Sequence, residues 1–282
     1  MLINTYKKYL LKITKVYFSD EILETNSDLD IYKQYVGDDV LSNNYFHTLI
    51  IDLNQSVEKI RKNIRNNYIH RINQAVKKHH IKIKFINKPS ISKYDNFIKI
   101  YNKDAIKKGY ANINRNDYLK LRNNILISYA IYDSRIICGH LYIYDEIRIR
   151  QSNSFILNSL NSESIRNISS KANKYLHYSD ILYAKEHNFK VFDLGGVFNL
   201  DPITKGVTIF KLGFSNKVEK SCGFIFGKTL KGKLIIFLLR YFKMDTLKRF
   251  LFIIYLYLNE LILSNKFYFS KDNKISKVYY YG

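Results

Sequence analysis

The chain has 282 residues, of which 46% are hydrophobic and 15% aromatic. This composition excludes a disordered chain, and the length allows one large domain or two smaller ones. The formal net charge is +22, from 46 Lys and Arg against 24 Asp and Glu. Such a charge favours an anionic partner, which includes phosphorylated small molecules, nucleic acids and acidic membrane surfaces, without choosing among them.

The N-terminal segment is rich in lysine and tyrosine. It reads MLINTYKKYLLKITKVYF, in which lysines interrupt the apolar positions and no small-residue cleavage site follows, so it is not typical of a signal peptide. Cys138 and Cys222 each stand alone inside an apolar run, which indicates reduced cysteines in a reducing compartment. We therefore expect a cytoplasmic protein.

The first regular pattern follows this segment. Residues 45–53 form a β-branched and apolar run that predicts a strand, and 54–80 carry apolar residues at helical spacing. Residues 81–86 alternate with a period of two, as a half-buried strand does. Because Pro89 then breaks the pattern, we predict that a first domain covers 1–90.

The middle of the chain has a clear order of elements. Two helical patterns precede three strand patterns in a row, and a long helix then leads into a short apolar strand. This order predicts an α/β fold with three layers and a mixed sheet. The predicted elements are helices over 92–108 and 114–124, strands over 125–133, 135–145 and 148–157, a helix over about 162–187 and a strand over 190–194.

Two adjacent glycines follow the last of these strands. Asp193 lies near the carboxyl end of the strand, where ligands of open α/β sheets bind, and Gly195 and Gly196 come directly after it. A glycine pair lets a ligand approach the main chain closely. The alternative is a tight turn in which Asp193 bonds its own loop amides. Both interpretations stay open at this point.

A lysine among aromatic residues comes next. The stretch GVTIFKLG predicts a short helical turn that ends at Gly213 and holds Lys211 between Phe210 and Phe214. An ammonium group beside rings in a partly dry cleft is an oriented charge. It could bind a phosphate, or stabilise the oxyanion that forms when an amine attacks an acyl carbonyl. A solvated surface lysine is the alternative in so basic a chain.

Other polar residues are weaker candidates. The seven histidines show no spacing typical of a metal site, so we expect no metal. Asn173 and Tyr183, on the helix before the strand, are candidate pocket residues, with core packing as the alternative. His177 and His187 are candidate bases on the same helix, although a structural or solvent-facing role explains them more simply.

The C-terminal segment over 228–282 is apolar and basic. Its longest apolar run, 250–263, is shorter than the roughly 20 residues that a membrane-spanning helix needs. The pattern predicts two short helices rimmed by Lys and Arg. They either pack on the main domain or lie at the inner face of an anionic membrane, with the contact through 228–265.

The glycine pair and the lysine segment together resemble the motif of a known family. FDLGGV followed by GVTIFKLGFSNKVE resembles the DFGG…FKxGFG closing motif of the Fem-type aminoacyltransferases, the peptidoglycan bridge-forming enzymes among the GNAT-fold acyltransferases. RINQAVKKHHIKIK and the helix and strand before the motif are also similar to the family, so that the resemblance spans roughly 45–225. It implies a truncated first GNAT-like subdomain over 1–90, a GNAT-like catalytic domain over 91–227 and a helical pair over 228–282.

The resemblance also implies an activity. Enzymes of this family move an amino acid from aminoacyl-tRNA to an amine on a peptidoglycan precursor, without a metal or a bound cofactor. The lysine of the motif, which stabilises the transition state, corresponds to Lys211, and Asp193 is the second predicted catalytic residue. The predicted substrate-binding residues are Gly195, Gly196, Phe210, Phe214, Asn173 and Tyr183.

Departures from the family leave alternatives open. Only about 90 residues precede the second domain, Ser215 and Asn216 replace the last glycine of the motif, and the usual acetyl-CoA fingerprint is absent. The donor is therefore aminoacyl-tRNA or acyl-CoA, and the anionic substrate is tRNA, a nucleotide-sugar or a lipid-linked precursor. A second hypothesis is an acyl-CoA-dependent N-acyltransferase for an amino sugar of a surface polysaccharide. A third is a non-catalytic binder of nucleic acid or membrane surfaces.

Overall fold

The structure is a computed structural model that describes residues 1–37, 45–157, 163–197 and 202–241. The chain divides into two compact units, one formed by Met1 with 46–221 and the other by 2–45 with 222–282. The candidate site lies in the first unit. The domain limits 1–90, 91–227 and 228–282 stay a prediction.

In chain order the elements of the described ranges are β1 (Leu2–Lys8), β2 (Leu11–Tyr17), β3 (Leu29–Tyr35), β4 (Tyr45–Asp52), α1 (Val57–Asn63), α2 (Asn66–Lys77), β5 (Lys82–Asn87), α3 (Ile91–Lys108), α4 (Arg115–Leu119), a 3-10 turn (Arg122–Asn124), β6 (Ile125–Tyr132), β7 (Arg135–Tyr144), β8 (Arg148–Ile156), α5 (Glu163–Glu186), β9 (Val191–Val197), α6 (Pro202–Lys211), β10 (Val218–Gly227) and α7 (Leu230–Tyr241). From α3 to β9 they follow the predicted order, which is thereby confirmed.

The first unit is a mixed sheet between two layers of helices. Its strands lie in the order β4-β9-β8-β7-β6-β5, with β8 and β9 parallel and the other neighbours antiparallel. Successive strand residues point to opposite faces, so the two faces have separate cores. One core joins the sheet to α1, α2 and α5 through residues such as Leu49, Tyr142, Ile149, Phe192 and Leu194. The other joins it to α3 and α4 through Ile125, Ile127, Tyr129, Leu141 and Phe155. The predicted three-layer α/β fold is confirmed.

The helix predicted over 54–80 is interrupted in the structure. Ile64, which follows α1, has an extended backbone and a buried side chain. The N–H of the next residue, Arg65, donates to the carbonyl oxygen of Gly213 at 3.0 Å. The break therefore connects the start of α2 to the loop after α6. No local pattern signals it, because the two partners are far apart in the sequence.

The second unit contains strands that the sequence analysis did not identify. β1 and β2 pair antiparallel, β2 and β3 pair parallel, and β3 pairs antiparallel with the part of β10 from Cys222 onward. Val16, Tyr32, Tyr35 and Cys222 form its buried core. The lysines of the N-terminal segment were used only to exclude a signal peptide. The alternation of polar and apolar residues in the same segment was the signal for strands.

The predicted C-terminal helical pair is described only in part. α7 is its first helix, and the second, predicted within 250–263, lies outside the described residues. Among the helices in the described ranges, none combines the length and hydropathy that a membrane crossing requires.

Candidate active site

The candidate site begins where the two parallel strands stop pairing. The ladder between β8 and β9 ends at Arg150 and Asp193, although β8 continues to Ile156 and β9 to Val197. The register of β8 against β7 shifts at Ser152, and that of β9 against β4 shifts just beyond Asp193. Irregularities of this kind bend strands and re-aim side chains, and they are common next to active sites.

Gly195 and Gly196 lie within β9, not in a turn after it. The strand continues through both of them to Val197. Gly195 has a φ of +82°, a left-handed conformation that favours glycine. A Cβ at this position would lie 2.9 Å from the Gln151 carbonyl oxygen and 3.4 Å from Lys211 Nζ. The glycine therefore permits both the bulge in β9 and the close approach of a lysine.

Asp193 is a fully buried carboxylate whose two oxygens have separate partners. Oδ1 accepts the N–H of Gly195 at 2.7 Å, and Oδ2 accepts Nη1 of Arg148 at 3.1 Å. Nη1 of Arg150 lies 3.9 Å from the same Oδ2. Arg148 also donates to both carboxylate oxygens of Glu219, at 2.6 and 2.8 Å. Asp193 thus bonds its own loop amide, as one interpretation proposed, and it also balances a cluster of guanidinium groups.

Lys211 is the last residue of α6, and its ammonium group points to β9. Nζ donates to the carbonyl oxygen of Gly196 at 2.6 Å. The pKa of Lys211 is lowered to about 8, chiefly by burial and also by the charge of Arg150, while the charge of Asp193 opposes both. Lys211 is therefore a half-buried lysine whose ammonium group is held against the glycine pair.

The aromatic setting predicted for Lys211 belongs to a different lysine. Among the described residues, Lys174 Nζ lies 4.9 Å from the ring centroid of Tyr68 and 5.4 Å from that of Phe210. Phe210 and Phe214 are four residues apart, so they share one side of the helical turn, whereas Lys211 is rotated by about 100° from Phe210. The rings and the ammonium group consequently face different neighbours.

Phe210 and Phe214 pack into the core behind the lysine. Their ring centroids lie 5.8 and 5.3 Å from that of Tyr68, and 5.0 and 5.3 Å from that of His177. Gly213 belongs to the same contact, because a Cβ there would lie 2.1 Å from the Tyr68 ring. The Phe and Gly residues of the closing motif therefore fix the end of α6 against α2 and α5.

The two remaining candidates lie in different places. Asn173 is buried, and its Oδ1 contacts Nε2 of His140 at 2.9 Å, so it belongs to a polar cluster under the sheet. Tyr183 stacks on Phe85 and His187, with ring centroids 4.4 and 3.8 Å apart. A cavity of about 220 Å³ is lined there by Asn87, Leu126, Tyr144, Ile149, Tyr183 and Phe189. The described hydrogen bond of the Lys211 ammonium group goes instead to the Gly196 carbonyl oxygen.

Several polar residues of this region were missed by the sequence analysis. Arg148 and Arg150 stand two positions apart in β8, so both reach the same side of the strand, toward Asp193. Charged residues at alternate positions of a buried strand were a usable signal. Glu219 had no local signal, because only the fold brings β10 beside Arg148. His140 and Asp180 likewise had no local signal, and His177 was predicted only as a candidate base. One donor atom from each of the three lies within 4.8 Å of the others.

Replacing Gly195 with Ala is expected to lower the free energy of unfolding by about 1–3 kcal/mol, because a Cβ is strained at a positive φ. Its Cβ would also press on the Gln151 carbonyl oxygen and approach Lys211 Nζ. Gly206→Ala is the matched control, since nothing lies within 4 Å of a Cβ on that helical glycine. Chemical denaturation of both variants checks this, and equal stability of the two would contradict the strain at Gly195.

Comparison with known proteins adds a statement about the fold. No family model and no curated protein matches the sequence. The crystal structure of FemX is similar with a TM-score of 0.55 and 10% identity, over 80% of this chain and 84% of that chain. The C-terminal domain (DUF2156) of a putative lysylphosphatidylglycerol synthetase from Agrobacterium fabrum has 9% identity and a TM-score of 0.47, over 74% and 71%. L-PGS from Bacillus licheniformis has 13% identity and a TM-score of 0.45, over 74% and 71%.

At sequence identities this low, the similarity shows a shared fold and nothing more. It agrees with the resemblance that the closing motif carries, and it covers most of both chains in the case of FemX. The chain therefore has the GNAT-like α/β fold that its similarity to the Fem-type enzymes predicted.

Proposed function

We propose that this protein is an acyl- or aminoacyltransferase that forms an amide on an amine of a cell-envelope precursor. One observation carries the proposal: the ammonium group of the half-buried Lys211 donates to the carbonyl of Gly196, beside the bulge at Gly195. The FemX-like fold and the resemblance of the closing motif to that of the Fem-type enzymes support it. Lys211 and Asp193 are the proposed catalytic residues.

The chemistry needs a fixed positive charge and little else. The amine nitrogen attacks the carbonyl carbon of an ester or thioester, the new C–N bond forms, and negative charge develops on the carbonyl oxygen. The old C–O or C–S bond then breaks, and the amine proton leaves with the displaced group or to solvent. An ammonium group has three N–H donors, of which Gly196 takes one, so two can reach the oxyanion.

Asp193 has an electrostatic role in this proposal. Because both of its oxygens already accept hydrogen bonds, it is poorly placed to remove a proton from the substrate. Its negative charge instead favours the protonated form of Lys211, and its bond to the Gly195 N–H holds the bulge in place. Gly195, Gly196, Phe210 and Phe214 are the proposed pocket residues, while Asn173 and Tyr183 remain proposals without a contact to Lys211.

Transfer assays test the proposal. The purified protein is supplied with radiolabelled aminoacyl-tRNA or radiolabelled acetyl-CoA and with a precursor pool that contains nucleotide-sugar and lipid-linked amines. Amide-linked label from charged tRNA supports the aminoacyl donor, and label from acetyl-CoA on an amino sugar supports the N-acyltransferase. Tight, salt-sensitive RNA or vesicle binding without transfer would instead indicate a non-catalytic binder.

The activity is expected to fall as the pH rises through about 8, the pKa to which burial lowers Lys211. Only the protonated lysine can donate to an oxyanion, so the falling limb reports loss of the ammonium group. In Lys211→Arg the limb should move to higher pH, because the guanidinium group stays protonated. A wild-type rate that keeps rising well above this pH would contradict the assignment.

The proposed site of action is the inner face of the cytoplasmic membrane, reached through 228–265. Basic residues beside an apolar helix suit an anionic interface. Sedimentation with phosphatidylglycerol vesicles, with the full chain and with a chain truncated before residue 228, checks this contact. Equal recovery of both chains with the vesicles would remove the segment from any membrane role.

A further inference from the structure

A buried polar cluster lies between β7 and α5, and the proposed transfer does not use it. His140 and Tyr142 belong to β7, while Asn173, His177 and Asp180 belong to α5. His177 and Asp180 are three residues apart and Asn173 and His177 four, so the helix presents all three toward the strand. His140 and Asp180 are 0% exposed and His177 is 2% exposed. The polar groups of this cluster are therefore buried and do not face bulk solvent.

We propose that His140, His177 and Asp180 form a binding site for a divalent transition-metal ion of the Zn²⁺ class. One donor atom from each residue lies within 4.8 Å of the others. Two imidazoles and one carboxylate are a donor set that Zn²⁺ and Co²⁺ accept, whereas Mg²⁺ and Ca²⁺ prefer oxygen ligands. This inference is independent of the proposed transferase function.

Two of these residues have buried donor atoms without a partner. His177 Nδ1 and Asp180 Oδ1 are both shielded from solvent and make no hydrogen bond within the described ranges. The described contacts of the His177 ring are with the rings of His140, Phe210 and Phe214. Buried polar atoms nearly always have partners. A bound cation would supply one, because it accepts a lone pair from each of these two atoms.

The hydrogen bonds of His140 lead to the same conclusion. Its Nε2 lies 2.9 Å from Oδ1 of Asn173, an oxygen that only accepts, and metal-bound histidines typically donate their other N–H to an oxygen. Its Nδ1 lies 2.7 Å from Oδ2 of Asp180, which also accepts the Tyr142 hydroxyl at 2.6 Å. Nδ1 and the carboxylate therefore face each other, as two ligands of one ion do.

His177 and Asp180 belong to α5 and His140 belongs to β7, so the site would link the helix to the strand. An ion held here would join α5 to β7 directly behind Phe210 and Phe214, and so support the end of α6.

Metal binding to the full chain tests this site. The protein is treated with chelator, dialysed and titrated with Co²⁺ and Zn²⁺. We expect one ion per chain, visible Co²⁺ absorption of a low-coordinate N/O site, and a rise in Tm with Zn²⁺. His177→Gln and Asp180→Asn should lose the absorption, and Asn173→Ala should weaken Co²⁺ binding by about 10–100-fold through loss of the oxygen that orients His140. His187→Gln is the matched control, because that histidine is exposed and bonds only the Tyr183 carbonyl.

Three outcomes would overturn the site. The first is a folded, chelator-treated wild-type chain that binds neither ion. The second is binding that His177→Gln leaves unchanged. The third is binding that His187→Gln abolishes as fully as His177→Gln, which would indicate a surface histidine. The wild-type titration needs no variant, so it tests the proposal even where a variant fails to fold.

Discussion

Replacing Lys211 with Met is expected to lower kcat by about 10²–10³-fold, the loss typical of one donor to a developing oxyanion. The methionine side chain keeps similar length and apolar volume but has no N–H. It also removes the 2.6 Å bond to the Gly196 carbonyl, so circular dichroism and Tm must accompany the steady-state assay. KM should change little, because the proposed interaction forms mainly in the transition state.

Lys217→Met is the matched control for this variant. Lys217 lies six positions further along the same loop and is exposed to solvent. Its loss removes the same formal charge without removing a buried donor, so kcat should stay within about twofold. Equal losses in both variants would mean that general charge, not an oriented ammonium group, supports the reaction. Unchanged turnover in Lys211→Met would exclude the lysine from the mechanism.

Replacing Asp193 with Asn is expected to lower the free energy of unfolding by about 3 kcal/mol, the lower end for removing one partner of a buried ion pair. The amide can still accept the Gly195 N–H, but the charge that faces Arg148 and Arg150 is lost. The pKa of Lys211 should fall as well, because the charge of Asp193 raises it. The falling limb of the pH–rate profile should therefore move to lower pH.

Asp95→Asn provides the comparison for this loss of stability. Asp95 pairs with Arg115 at 2.7 Å, but the two side chains are 41% and 47% exposed. Exposed pairs contribute about 1 kcal/mol or less. Urea unfolding of both variants measures the difference. A loss no larger in Asp193→Asn than in Asp95→Asn would show that Glu219 alone satisfies the arginine cluster, and that Asp193 is not needed to hold it.

Local patterns predicted most of the first unit. The helix at 92–108 ends at Gly109 in a left-handed conformation, as its position predicted. The order of elements up to β9 is confirmed, because periodicity and glycine positions report helices and strands directly. The closing motif likewise predicted that Lys211 and the glycine pair lie together, although 15 positions separate Lys211 from Gly196. Their contact at 2.6 Å is what the structure adds.

Other features depend on partners that no local window contains. The break between α1 and α2 depends on the bond from Arg65 to Gly213. The direction of Lys211 depends on Phe210 and Phe214 packing against Tyr68 and His177.

The sequence alone determined the α/β class, the order of elements and the identity of the lysine, because propensity, periodicity and a compact motif are local properties. Only the tertiary structure decided that two arginines pair with Asp193 beside the glycine pair, and that two histidines and an aspartate meet on one side of the sheet. Those groups come from different strands and helices, and they meet only when the sheet register and helix packing are formed.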